Sequence, residues 1–213
     1  MKNKKTYVIA GAGSGIGLAL REKLLADGHQ VIAIVRNPDY IKEQENLTFV
    51  LHDFSEENLL PEINGTIDGL IYCPGTINLK PFASLKEKDV LDDFKVNVLG
   101  AFRFIHKYSM PLRESQDGSI LLFSSVAVQS GMPFHTTVGI SKGGVEGLTR
   151  SLSAEFAPKI RVNCIAPSLT DTPLAKNLLN SDTKRLANAE RHPLKRVGTA
   201  EEIAALAMFI LND

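Results

Sequence analysis

The sequence predicts an α/β protein built on a doubly wound parallel sheet, a three-layer αβα sandwich. Three observations carry that expectation. Short, almost wholly apolar runs alternate with longer segments of helical spacing, as strands do when crossover helices bury both faces of their sheet. The first run, residues 6–10, passes straight into a glycine-rich turn and then a helical segment. The composition, 44% hydrophobic and 23% charged over 213 residues, is that of an ordinary globular chain.

The elements follow in order. Residues 6–10 read as a strand, and 16–26 as a helix stopped by Asp27-Gly28. The β-branched run 31–35 and the run 48–51 are the next two strands. A fourth, 70–73, follows Gly65 and Gly69 and stops at Pro74-Gly75. Residues 90–112 read as one long helix whose stripe of Phe94, Val98, Ala101, Phe102 and Ile105 suits a core and a helix–helix face. Strand 119–123 precedes helix 140–156, which Pro158 closes, and strand 161–165 ends before Pro167. The last helix, 200–211, starts from Thr199 with Glu202 three residues on, a capping box. Crossovers in such sheets are right-handed, and ligands sit at the carboxyl ends of the strands near the switch point.

Length and charge exclude several classes. At about 150 residues per domain the chain is a single domain, 1–213, long enough to bury a core without disulfides or metals. Lys plus Arg and Asp plus Glu both number 24, which argues against disorder and against a dedicated nucleic-acid binder. No uncharged run of 18 apolar residues is present, so no membrane span is expected. The start Met1-Lys2-Asn3-Lys4-Lys5 imitates a signal peptide, but Gly11, Gly13, Gly15, Gly17 and Arg21-Glu22 make the stretch a strand and turn. Cys73 and Cys164 have neither metal spacing nor a disulfide framework, so no metal is expected and a reducing cytoplasm fits.

The chemistry begins in the first turn, Gly11-Ala12-Gly13-Ser14-Gly15-Ile16-Gly17. Glycines let backbone approach a pyrophosphate, and the helix behind them offers unpaired N–H groups to the anion. Following a strand and opening a helix, the turn reads as a dinucleotide site with Gly11, Ser14, Gly15, Ile16 and Gly17 as contacts. NAD would call for an acid at the end of the second strand, about 20 residues on. That strand ends Val35-Arg36 instead, and a guanidinium suits a 2′-phosphate. NADP(H) is therefore preferred, with NAD(H) possible.

Taken together the residues resemble the short-chain dehydrogenase/reductase family along essentially the whole chain. Gly11-x-x-x-Gly15-x-Gly17 is similar to its cofactor loop, and Asp53 to its adenine-contacting acid. Asn97 in Phe94-Lys95-Val96-Asn97-Val98 matches the asparagine that supports the active site, Ser125 the catalytic serine, and Lys142 in Ser141-Lys142-Gly143-Gly144 the catalytic lysine. Arg161-Val162-Asn163-Cys164-Ile165-Ala166-Pro167 matches the sixth strand, Thr172 the position that holds the nicotinamide carboxamide, and the run from His192 to Gly198 the C-terminal signature. The resemblance implies a Rossmann-like fold, Gly75 beside the cofactor, hydride transfer to or from a small carbonyl or alcohol, and a homodimer or homotetramer.

The departures bear on mechanism. The family's catalytic tyrosine falls 13 residues after the serine and four before the lysine, and both counts give Val138. The hydroxyl it replaces is a general acid worth about 10²–10⁴-fold. Among substitutes, Tyr7, Tyr40, Tyr72 and Tyr108 read as core, loop, strand and helix residues, and His135 as a loop residue near a helix that Thr136 or Thr137 caps. A water held by Lys142 is a further donor. Ala10 and Tyr72-Cys73-Pro74-Gly75 replace family residues that tie the first loop to the fourth strand, so that tie is remade differently. The family's usual last strand is lacking after Asp213, which implies a shortened chain or a partner on that side. Residues 132–137 and the segment 174–190, a lid, are expected to set specificity. An oxidoreductase and a catalytically silent NADP(H)-binding regulatory or assembly protein both remain open.

Overall fold

The computed structural model describes residues 4–40, 43–56 and 58–212. The extreme N-terminus and Asp213, weighed above for the chain's ends, and the Tyr40 side chain lie outside that description. Strands β1 (Thr6–Ala10), β2 (Gln30–Val35), β3 (Leu47–Leu51), β4 (Gly69–Tyr72), β5 (Gly118–Phe123) and β6 (Ile160–Ile165) form one parallel sheet in the order β3-β2-β1-β4-β5-β6. The order reverses between β1 and β4, the switch point at which such sheets bind ligands. Among the described residues no strand extends the sheet beyond β6.

Alternation along each strand divides the core in two. Val8, Ala10, Leu70, Tyr72, Ile120 and Leu122 face one layer. It is made by α2 (Glu87–Phe94), α3 (Gly100–Arg113), the four-residue α4 (Ala127–Ser130) and α5 (Thr136–Phe156). Tyr7, Ile9, Ile71, Leu121 and Phe123 face the other, where α1 (Gly15–Ala26) packs on the last helix. Before that helix come α6 (Asp182–Glu190), a 3-10 turn at Pro173–Leu178, and a small parallel pair of β7 (Thr170–Asp171) and β8 (Gly198–Thr199). The last helix, α7 (Ala200–Asn212), begins with the expected capping box. The Thr199 hydroxyl accepts from the Glu202 N–H at 3.3 Å, and the Glu202 carboxylate from the Thr199 N–H at 2.9 Å.

Three expectations are corrected. The helix expected over 90–112 starts at Glu87 and is interrupted by a π-turn, Lys95–Leu99, which carries Asn97. One extra residue per turn re-aims the side chains there, a distortion that periodicity does not reveal. The helix expected from residue 140 starts at Thr136, because Gly139 and Gly143-Gly144 weaken its apolar signal. Neither Thr136 nor Thr137 caps it: His135 holds the N-cap position, and the Thr137 hydroxyl donates to the Asn78 carbonyl at 3.0 Å.

Candidate active site

The glycine turn closes where β1 and β2 end. Gly11 (φ 74°) and Gly15 (φ 54°) occupy the left-handed region. The Gly11 and Ala12 N–H groups both donate to the Ile34 carbonyl, at 2.9 and 3.3 Å. A β-carbon on Gly17 would stand 2.3 Å from the Gly11 carbonyl oxygen. The buried Arg21 guanidinium braces the turn from below, donating to the Ala12 carbonyl at 3.3 Å. Ser14 holds the N-cap of α1 in extended backbone without a side-chain cap bond, so the first turn of α1 presents its N–H groups toward the loop.

Two of the residues expected to contact the nucleotide flank this turn. Arg36 is exposed at the end of β2. Asp53 follows β3, and its carboxylate accepts from the Ser55 N–H at 2.8 Å and the Ser55 hydroxyl at 2.7 Å. Burial disfavours the Asp53 charge, but the two Ser55 bonds and the Arg36 guanidinium outweigh it and hold the carboxyl below its ordinary value. Thr172, before the 3-10 turn, lies over the same loop: a β-carbon on Gly15 would meet its side chain at 3.3 Å.

The Cys73 N–H donates to the Ala10 carbonyl at 3.1 Å, one more rung of the β1–β4 pairing, and the first loop approaches this segment at Gly11, where a β-carbon would lie 3.1 Å from the Pro74 nitrogen. Tyr72 is a packed strand residue as expected, and its hydroxyl donates to the Val96 carbonyl in the π-turn at 2.6 Å. Tyr7 and Tyr108 are likewise buried, the latter donating to the Pro61 carbonyl. His135 is half-buried, its ring nitrogen 2.7 Å from the Pro133 carbonyl oxygen. Cys73 and Cys164 are free thiols, and burial pushes Cys73 up to about 12.

Ser125, Lys142 and Asn97 converge at the carboxyl ends of β4 and β5. Ser125 follows β5, half-buried, and its hydroxyl oxygen accepts from the Ala127 N–H at 3.2 Å, which leaves its proton available. Lys142 reaches across from α5 and donates to the Phe123 carbonyl at 3.0 Å. Its amino group is packed round, and burial lowers it from 10.5 to about 8, against the opposing pull of Cys164, Cys73 and Asp93. Asn97 donates to the Thr76 hydroxyl and to the Asp93 carbonyl, both at 2.8 Å. A β-carbon on Gly75 would stand 3.2 Å from both Asn97 Oδ1 and Lys142 Nζ, so only glycine leaves the two groups open to one another. Val138, one helical turn before Lys142, is 5% exposed.

The sequence reading missed Asp93, Thr76 and Asn78. Asp93 is fully buried, and its Oδ1 accepts from the Thr76 hydroxyl at 2.6 Å and the Asn78 amide at 2.5 Å. The available signal was its place four residues before Asn97, on the same helix face. Among the described residues no group of three His, Cys, Asp or Glu side chains can hold a metal ion. Among the described residues no helix is long and apolar enough to cross a membrane.

Comparison with known proteins decides the family. A family model described as enoyl-(acyl carrier protein) reductase matches residues 11–213. The FabG 3-oxoacyl-(acyl-carrier-protein) reductase of Thermotoga maritima is 31% identical over 225 residues, covering 98% of this chain and 91% of the relative. The chain belongs to the short-chain dehydrogenase/reductase family. A tropinone reductase homolog of Arabidopsis thaliana is also 31% identical, over 97% of this chain and 84% of that protein. A short-chain dehydrogenase family protein from Francisella tularensis superposes with a TM-score of 0.89 at 26% identity, covering 99% of this chain and 92% of that one. The short-chain dehydrogenase/reductase assignment makes the chain a member of an oxidoreductase family whose proteins use nicotinamide cofactors.

Proposed function

We propose that this protein is an NADP(H)-dependent oxidoreductase acting on a small carbonyl or alcohol. The observation that carries the reading is the bond from Lys142 to the Phe123 carbonyl, two residues before Ser125. It brings a cation and a hydroxyl together at the carboxyl end of β5, near the switch point. The residues present fit a dinucleotide, because the Gly11–Gly17 contact leaves no room for a side chain where backbone must approach a pyrophosphate.

When bound, a nicotinamide supplies or accepts the hydride. Gly11, Ser14, Gly15, Ile16 and Gly17 would hold the pyrophosphate with backbone N–H groups, Arg36 the 2′-phosphate, and Asp53 the adenine side. Gly75 and Lys142 would border the nicotinamide ribose, and Thr172 the carboxamide. Ser125 donates to the substrate oxygen and orients it, and Asn97 supports Lys142. Val138 brings no proton to the place where the family's tyrosine resemblance falls, so the proton-donor site is atypical.

Residues 1–213 act as one dinucleotide-binding domain, with 174–190 as a substrate lid whose 3-10 turn and α6 lie beyond Thr172. The exposed Leu99, Phe102 and Met110 of the π-turn and α3, with Ile140 of α5, support a homodimer or homotetramer. The two free thiols support a cytoplasmic location.

The test is NADPH consumption over a panel of aldehydes and ketones that includes a 3-oxoacyl thioester and tropinone, substrates named in the relatives' descriptions. Carbonyl-dependent oxidation of NADPH supports the reading. Binding of NADPH without turnover on any carbonyl would sink it in favour of a silent NADP(H)-binding regulator, the alternative that Val138 favours.

A further inference from the structure

A buried acid stands behind the Lys142 ammonium. Asp93 is 0% exposed, and carboxylates are almost never so fully buried without a partner. Its Oδ1 takes two neutral donors, Thr76 and Asn78, while its Oδ2 has no hydrogen-bond partner among the described residues. Lys80, in the segment before α2, is engaged by Asp89 of the first turn of that helix at 2.6 Å. Asn97 links the acid to the site. Its amide donates to the same Thr76 hydroxyl that bonds Asp93, and its Oδ1, also unpartnered among the described residues, borders the small space at Gly75 that Lys142 Nζ borders too.

We propose that Asp93 and Lys142 act as one acid in this site: the Lys142 ammonium gives the proton to the substrate oxygen, directly or across one water, and Asp93 is the positioning charge that keeps that ammonium protonated. The inference rests on the reductase reading above. As the carbonyl carbon takes the hydride that a reduced nicotinamide would supply, its oxygen takes the Lys142 proton, the alcohol leaves, and solvent reprotonates the neutral amine. Ser125 holds the oxygen and adds no net proton.

The other titratable groups around Lys142 do not supply that proton. Cys73, after β4, is pushed up to about 12 by burial, and Cys164, on β6, is raised for the same reason. Glu146, on α5 itself, accepts from the Ser124 hydroxyl at 2.8 Å. The Tyr72 hydroxyl is committed to the Val96 carbonyl. An ammonium near 8 is charged at neutral pH and acidic enough to donate; Cys164, Cys73 and Asp93 oppose its further loss by burial, and of the three Asp93 is the carboxylate, both thiols being raised by their own burial.

The test reads Lys142 directly, in unliganded protein labelled with ¹³C-lysine, its resonance assigned by Lys142→Arg. Asp93→Asn should move the Lys142 inflection down by about one pH unit, about tenfold more neutral amine at a given pH well below it. Asp93→Ala reads the same quantity should the Asn variant not fold. Asp92→Asn, next in sequence but bound to exposed Lys88, should leave it unmoved. Folded Asp93 variants that titrate like the wild type overturn the proposal. The second readout is the pH dependence of kcat for carbonyl reduction, which should fall above the Lys142 inflection and move with it in Asp93→Asn. A kcat that ignores the shifted lysine overturns the donor role. A wild type without turnover on any carbonyl overturns the reductase reading and the donor role with it, while the NMR arm still decides whether Asp93 holds the charge.

Discussion

Gly17 packs its backbone directly on Gly11: a β-carbon at Gly17 would stand 2.3 Å from the Gly11 carbonyl oxygen. The obstacle is backbone, so a side chain there displaces the loop. Gly17→Ala should destabilise the fold by about 1–3 kcal/mol, the usual scale of forced overpacking. It should also weaken NADPH binding at least tenfold, about 1.4 kcal/mol. Thermal melting and a binding titration check the two effects, and an unchanged affinity would separate this contact from the nucleotide site.

Tyr72 and the π-turn offer a second test. The Tyr72 hydroxyl donates to the Val96 carbonyl at 2.6 Å and fills the space at Gly100, where a β-carbon would lie 2.1 Å from it. Tyr72→Phe strands a buried acceptor, at a cost of about 1–3 kcal/mol. Urea unfolding should show a lower midpoint with an unchanged slope, and the nucleotide affinity should stay close to that of the wild type.

Much of the sheet was legible in the sequence because strands buried on both faces are short apolar runs, and each run found a strand within a residue or two of its expected ends. Ser125 and Lys142 could be paired by spacing, since both lie in regular, well-signalled elements. Asp93 could not. It reads as one more charge in Asp92-Asp93 on an otherwise exposed helix, and only the fold turns Asp92 outward to Lys88 and buries Asp93 against Thr76 and Asn78. The π-turn at Asn97 was hidden for a related reason: one inserted residue leaves the apolar stripe continuous while re-aiming the side chains.

The capping box of α7 carries a pH dependence. The Arg196 guanidinium, then the Thr199 N–H, hold the Glu202 carboxyl at about 2, below its ordinary 4.5. A depressed folded-state value means that its stabilisation is complete above about 4.5 and is lost as pH falls through about 2. Glu202→Gln should therefore melt below the wild type at pH 7, with the gap closing toward pH 2. Because the pair is exposed, added salt should narrow the gap at neutral pH.

Val138 lies one helical turn before Lys142 and offers no proton. Val138→Tyr supplies a second donor beside the lysine. Reduction should speed up by about tenfold or more, within the 10²–10⁴-fold reach of general-acid catalysis, and its fall with rising pH should move to a higher pH. Steady-state rates across the pH range check both. An unchanged rate and profile would mean that the donor already present suffices without a tyrosine.

The most direct test of the NADP(H) assignment is a titration by nucleotide fluorescence, with NADPH and NADH in parallel, on the wild type and Arg36→Ala. The account predicts saturable NADPH binding that is much tighter than NADH binding. Arg36→Ala should lose about ten- to a hundredfold of the NADPH affinity, the scale of a hydrogen bond to a charged group, and leave NADH unchanged. Equal affinities that ignore Arg36, or no binding of either nucleotide, would contradict it.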